Sequence, residues 1–353
     1  MSELKAIVLA ASQLRALGRP FLSATVVRVQ GSGYRRPGAR MLASDERQVA
    51  GSISGGCLER DVLARGMWRT REQPAVLVRY SEGEDALDER SGSGCQGVID
   101  VLIQRHDPAA DDVFLLMQRC LREERCAAHA TVVRSDNPAR PIGARASCVA
   151  GELSGDFQLP ELALVLEEGR PAHFAAYGGS ELLVEVIQPP PHLFVFGSGH
   201  DAEPLIGVSQ QLGWSTSVWD AQPRISARER LREADRYLSG SLASAIAELD
   251  ACVRPVAVVM GHHLEQDRRV LEALVRSRAS YIGVLGPRRR TEQMLADSGL
   301  APDPRLYAPV GLQLGAETPA EIALAIAAEI QATLTRSDAR ALRSDPGAIH
   351  RVP

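Results

Sequence analysis

Lysine is almost missing. Lys5 is the only one among 353 residues, so a phosphate-loop lysine, a Schiff-base lysine or a tyrosine–lysine hydride-transfer pair has no candidate beyond the N-terminal segment. Cationic chemistry therefore falls to arginine, whose planar fork suits phosphate but does not release a proton near neutral pH. Zinc-type cysteine spacing is missing too. The six cysteines (57, 95, 120, 126, 148 and 252) are scattered with no C-x-x-C pair, and a reducing compartment leaves such residues as thiols. No run approaches the roughly 18–20 apolar residues that cross a bilayer, and the opening "MSELKAIVLAASQLRALGRP" lacks a signal peptide's layout. The expectation is a cytoplasmic protein with no membrane partner. A formal charge of −4 offers no basic face for phosphates, so nucleic acid is not expected as a partner either.

What is present suits two or three ordinary cores. Leu4, Ile7, Val8, Ala11, Leu14 and Leu17 recur at helical spacing and predict an amphipathic packing helix. The clearest boundary is Pro189-Pro190-Pro191, a stiff connector that fits neither a helix nor a central strand. It divides the chain into an N-terminal domain over 1–189, less distinctive from about 106 to 187, and a second domain over 190–336. The polar stretch 337–353 reads as a tail. The fold class expected is α/β: a C-terminal Rossmann-like, doubly wound parallel sheet with an N-terminal α+β domain, mostly antiparallel. No internal repeat is read from the sequence.

In the second domain, Gly197, Gly199 and Ala202 form G-x-G-x-x-A directly after the apolar run "HLFVF", and Asp220 closes the next such run. This is the setting of a dinucleotide fingerprint: a tight turn, a close backbone approach to a pyrophosphate, a helix N-terminus and an acid for a ribose hydroxyl. Asp201 and Glu203 add two carboxylates in that helix's first turn, where a pyrophosphate would want the same positive end of the dipole. His262 and His263 follow "PVAVVM" at the carboxyl end of a strand, the edge where ligands collect. Arg288 to Arg290 stand in the first turn of another helix and offer an anion site. Thr318-Pro319-Ala320-Glu321 marks the last helix with a cap, a first-turn proline and a capping-box glutamate.

The first domain carries two glycine-flanked thiols. "GSISGGCLERD" sets Cys57 after Gly55 and Gly56 at what reads as a helix start, where unpaired amides favour a thiolate; "SGSGCQGVIDVLIQ" places Cys95 in a similar loop. "GSGYRRPGARML" puts Arg35, Arg36 and Arg40 in and beside a glycine turn whose Gly31 and Gly33 amides suit phosphate. The other four cysteines read as small buried hydrophobes. Taken alone, these residues leave open a carrier of a metal–sulfur, phosphate-bearing cofactor, an NAD(P)-dependent oxidoreductase built on Asp220 and the glycine loop, and a nucleotide-sensing scaffold.

"YRRPGARMLASDERQVAGSISGGCLERDV" and "SGSGCQGVIDVLIQ" resemble the N-terminal signatures of the XdhC/CoxI family, the xanthine dehydrogenase accessory factors. "LFVFGSGHDAEPL", "GWSTSVWD", "VVMGHHLEQDRRVLEAL", "YIGVLGPRRRTEQML" and "PVGLQLGAETPAEIALAIAAEI" resemble its Rossmann half in the same order. The chain departs from the family pattern at Gln96 after Cys95, at His263 in place of an aspartate, and at Asp201 in place of an apolar residue. The resemblance implies an accessory chaperone, without turnover of its own, that binds the molybdenum cofactor as molybdopterin or its dinucleotide form. It implies delivery to an apoenzyme of the xanthine dehydrogenase type, contact with a nucleotidyltransferase or sulfurase that matures the cofactor, and a homo-oligomer. Cofactor-binding residues are then Cys57, Cys95, Arg35, Arg36, Gly55, Gly56, Gly197, Gly199, Asp220 and His262, with Cys57 and Cys95 as ligands to the metal. NAD(P) in the Rossmann half is the other cofactor considered.

Overall fold

The computed structural model describes residues 2–31, 35–44, 47–81, 97–169, 172–222, 225–299 and 301–344. Its backbone separates into two units, one running from Glu3 to Gln188 and one beginning at Pro189.

The first unit opens with the expected amphipathic helix α1 (Glu3–Ala16), which buries Ile7, Val8, Ala11 and Leu14. Then come β1 (Phe21–Gly31), β2 (Arg40–Ser44), β3 (Arg47–Gly51), α2 (Cys57–Arg69), β4 (Ala75–Tyr80) and β5 (Gly97–His106). The same succession follows again: α3 (Val113–Glu123), β6 (Ala127–Ser135), β7 (Arg145–Val149), β8 (Glu152–Gly155), α4 (Leu162–Glu168), β9 (His173–Tyr177) and β10 (Ser180–Ile187). Each set makes a five-stranded antiparallel sheet, and the strand orders β3-β2-β1-β5-β4 and β8-β7-β6-β10-β9 are one topology written twice.

The unit is therefore an internal duplication, which corrects the reading of no repeat. Its trace in the sequence is short: "ATVVR" at 24–28 and 130–134, and "GAR" at 38–40 and 143–145. Those residues make the same bonds. Gly38 N–H donates to the Val26 carbonyl and Gly143 N–H to the Val132 carbonyl, both at 2.8 Å, with φ of 89° and 91°. Each long strand carries a bulge just beyond, at Val27 and at Val133. The two bulged valines share one core with Leu102 and Leu183. The rest of the two copies diverged because a half-buried sheet asks only for alternation, which many sequences supply.

The second unit carries six parallel strands: β11 (His192–Phe196), β12 (Ser215–Trp219), β13 (Arg236–Leu238), β14 (Pro255–Val259), β15 (Tyr281–Val284) and β16 (Leu306–Tyr307). Between them run α5 (Ala202–Gln211), α6 (Ile225–Arg230), α7 (Leu242–Asp250), α8 (Leu264–Val275) and α9 (Arg288–Ser298), with α10 (Pro319–Leu334) last. The order β13-β12-β11-β14-β15-β16 is that of the doubly wound nucleotide fold. Every residue of β11 and β14 is buried, as strands covered on both faces must be. Strand order reverses between β11 and β14, and the crevice at that switch lies at their carboxyl ends. α10 begins with the expected cap, the Thr318 hydroxyl accepting from Glu321 N–H while Glu321 accepts from Thr318 N–H. Of the polar tail, Leu342–Ser344 form a short 3-10 turn, and 345–353 lie outside the described residues. Among the described residues no helix is long and apolar enough to cross a membrane.

Candidate functional site

The site residues expected from sequence fall into two groups, one in each unit. In the first, α2 starts at Cys57 behind Gly56, whose φ of 119° is open to glycine and strained for any other residue. Glu59, third in the helix and buried, turns back over the loop. Its carboxylate accepts from the amides of Ile53 at 2.9 Å, Ser54 at 2.7 Å and Gly56 at 3.1 Å, and from the Ser54 hydroxyl. Ser54 Oγ in turn accepts from Leu58 N–H at 3.2 Å. Burial pushes the Glu59 carboxyl up, yet the bonds from Ser54 and the loop amides outweigh it and hold the group below its ordinary value.

Much of the amide set at this helix end is thus already engaged. Glu59 takes the loop amides of Ile53, Ser54 and Gly56, and Ser54 Oγ takes Leu58 N–H in the helix's first turn. The thiol itself is exposed and makes a long contact with Ser54 Oγ at 3.7 Å.

Arg35 is half-exposed and pairs with Glu3 at 2.5–2.6 Å. The same Glu3 carboxylate accepts from Ser52 N–H at 3.3 Å. One acidic residue of α1 therefore ties the arginine turn to the loop that leads to Cys57. Arg36 is exposed. Gly33 and Cys95 lie outside the described residues, and so does any pairing of Cys95 with Cys57. Among the described residues no group of three or more His, Cys, Asp or Glu could hold a metal ion.

The duplication shows which of these features the scaffold does not need. The second copy also has an arginine before its turn proline, Arg140, three residues before its own "GAR", although by hydrogen bonding Pro141 holds the place of Arg36, their carbonyls accepting from Ala144 N–H at 3.0 Å and Ala39 N–H at 3.1 Å. Arg140 packs over the Tyr177 ring at 5.1 Å and donates to the Tyr177 carbonyl at 3.3 Å. The loop after β8, "DFQLPE", stands where the first copy has "SISGGC" and carries neither a glycine pair nor a thiol. The copies share a framework and differ at Cys57 and at the surroundings of Arg36.

The second group surrounds a cavity of about 350 Å³ at the switch between β11 and β14, where Gly197, Gly199, Asp220 and His262 come together. Gly199 faces His262: a Cβ there would lie 2.9 Å from the imidazole Nε2. Asp220 accepts from the Ser198 hydroxyl and, at 2.9 Å, from Gln222 N–H. Arg230, at the end of α6, also lines the cavity and donates to the Ser198 carbonyl at 2.6 Å. Sequence reasoning missed Arg230. Nothing local marks it, since its position depends on α6 folding back over the switch point.

Of the two first-turn carboxylates, Glu203 is 3.8 Å from Arg230 Nε, and Asp201 makes no side-chain cap bond. The arginine cluster at α9 is not an open anion site as a whole, because Arg290 is paired at 2.5 Å with the buried Asp267. Burial raises the Asp267 carboxyl, and Arg290 opposes that shift.

Two family models match, the "XdhC and CoxI family" over residues 14–81 and the "XdhC Rossmann domain" over residues 193–330. The chain is 30% identical over 314 residues to a Bacillus subtilis (strain 168) protein described as a probable xanthine dehydrogenase subunit, covering 89% of this chain and 93% of that one. It is 31% identical over 326 residues to "Uncharacterized protein YqeB" of Escherichia coli (strain K12), with 91% of this chain aligned to 44% of that longer protein. A crystal structure described as a xanthine dehydrogenase from Bacillus halodurans is similar at a TM-score of 0.77 and 26% identity, covering 98% of both chains. Two matched family models and a relative 30% identical over nearly its whole length make this chain a member of the XdhC and CoxI family.

Proposed function

We propose that this protein carries the molybdenum cofactor for a hydroxylase of the xanthine dehydrogenase type and does not itself turn over a substrate. The xanthine dehydrogenase names borne by the Bacillus relatives support the association. The observation that carries the reading is an exposed thiol in a glycine-flanked loop, tied through Glu3 to an arginine turn, in the one copy of the duplicated scaffold that departs there from the other.

The donor set fits such a group. A soft sulfur ligand suits a metal–sulfur centre, and guanidinium forks suit a phosphate. When bound, the pterin dithiolene supplies the molybdenum centre that the hydroxylase uses. This chain's part is to hold it: Cys57, with Cys95, as the sulfur donors, Arg36 on the phosphate end, and Arg35 positioned by Glu3. Glu59 keeps the Cys57 loop in shape. The partners that follow are the recipient apoenzyme and the nucleotidyltransferase or sulfurase that completes the cofactor.

Loading the purified protein with released cofactor and adding it to a cofactor-free hydroxylase tests the proposal. Hydroxylase activity should appear faster than with the same amount of free cofactor under air, because a carrier shields its cargo. Equal rates with and without the protein would reject it.

A further inference from the structure

The polar groups of the second unit's cavity have unused hydrogen-bonding capacity, and it has a recognisable shape. Asp220 accepts Gln222 N–H on one carboxylate oxygen and the Ser198 hydroxyl on the other. A carboxylate offers about four lone-pair positions, so one remains on each oxygen. That pair is what two adjacent ribose hydroxyls donate into. Arg230, in the same wall, gives one N–H to the Ser198 carbonyl. Its Nε is buried without an acceptor in hydrogen-bond reach, Glu203 being 3.8 Å away. A guanidinium Nε with no hydrogen-bond acceptor beside a glycine loop, its charge offset only by Glu203 at ion-pair range, can take an anion.

The imidazole of His262 sets the size of that anion. In a dinucleotide site the second glycine of the loop lets the backbone approach a pyrophosphate. Here the space beside Gly199 holds His262 Nε2. The cavity, at about 350 Å³, also lies near the lower end of the roughly 300–1,000 Å³ range of small-molecule sites.

We propose that this cavity binds a single ribonucleoside phosphate, with its cis-diol on Asp220 and its phosphate between Arg230 and His262, and that it is not a nicotinamide dinucleotide site. The inference uses residues of the second unit alone and stands whether or not the Cys57 loop holds a cofactor. A free nucleotide and the nucleotide end of a larger pyrophosphate ester present the same chemistry here.

Calorimetric titration of the full chain with AMP, CMP and GMP, their 2′-deoxy counterparts, CDP-choline and NAD⁺ is the test. At least one ribonucleotide should bind at one equivalent. Its 2′-deoxy counterpart should bind about tenfold more weakly or worse, since one carboxylate lone pair is left unmatched, and NAD⁺ should bind no tighter than AMP. CDP-choline binding tighter than CMP assigns the site to the end of a larger ligand, and the reverse assigns it to a free nucleotide; both support the proposal. Arg230→Gln should weaken the nucleotide about tenfold while leaving the ribose preference intact, and Asp220→Asn should abolish that preference. No ribonucleotide binding at millimolar concentration, equal binding of ribo and deoxy forms, or NAD⁺ binding tenfold tighter than AMP would overturn it. The ribo–deoxy comparison uses unaltered protein, so a variant that misfolds does not leave the question open.

Discussion

Arg40 and Glu185 form a doubly hydrogen-bonded ion pair between the two copies of the first unit's fold, one bond at 2.9 Å, with 7% of each side chain exposed. Breaking a buried pair by removing one partner leaves a charge in a low dielectric, at a cost of about 3–5 kcal/mol. Glu185→Ala should lower the stability of the first unit by that amount in urea unfolding. The double change Arg40→Met with Glu185→Leu should recover most of it. A single-variant loss under ~1 kcal/mol would mean that water reaches the pair.

A second prediction concerns pH. His129 is buried between Ser147 Oγ at 2.9 Å and Thr131 Oγ1 at 3.1 Å. Burial pushes the imidazole down from 6.5 to about 4, with Glu185 opposing and Arg40 assisting. The unfolded chain therefore takes up this proton first as pH falls. Stability from His129 is complete above pH 6.5 and drains away as pH drops towards 4, by roughly 3 kcal/mol in all. Unfolding free energies measured between pH 7 and 4 should show this slope, and His129→Gln should flatten it.

Glu59 is the keystone of the Cys57 loop. Replacing it with alanine frees the amides of Ile53 and Ser54 and the Ser54 hydroxyl, and leaves Gly56 N–H with Ser54 Oγ as its acceptor, so a loss of about 1–3 kcal/mol is expected in urea unfolding. Amide hydrogen exchange at Ile53 and Ser54 should accelerate. Unchanged exchange would show that the loop holds its shape by other means.

Arg36 and Arg140, each just before a proline in its own copy's turn, should part company. Arg140→Ala removes a stacked, hydrogen-bonded side chain and should cost about 1–2 kcal/mol without affecting cofactor retention. Arg36→Ala changes an exposed side chain and should leave stability within about 0.5 kcal/mol while weakening retention. Equal effects of both on retention would remove the arginine turn from the cofactor site.

The parallel sheet was legible because strands covered on both faces are written as uninterrupted apolar runs. β11 and β14 read this way, and a fingerprint marks the turn after the first of them. The packing helix α1 and the cap of α10 were visible for the same reason, since spacing and capping are local. The duplication was not legible, because eight retained residues in two short blocks are all that sheet geometry fixed. Arg230 and Glu3 escaped for a different reason: each acts on a loop distant in sequence, through an approach that only the folded chain creates. Cys57 stands out in the sequence by its glycines, yet the hold of Glu59 on the loop amides before it follows from a side chain turning back on its own helix.

The most direct test of the carrier role is molybdenum content after equilibrium gel filtration with released cofactor, for the unaltered protein and for Cys57→Ala. An exposed thiol contributes little to folding, so the variant should remain intact. About one molybdenum per unaltered chain is expected, with a clear loss in the variant. Full loading of folded Cys57→Ala would contradict the role given to the thiol.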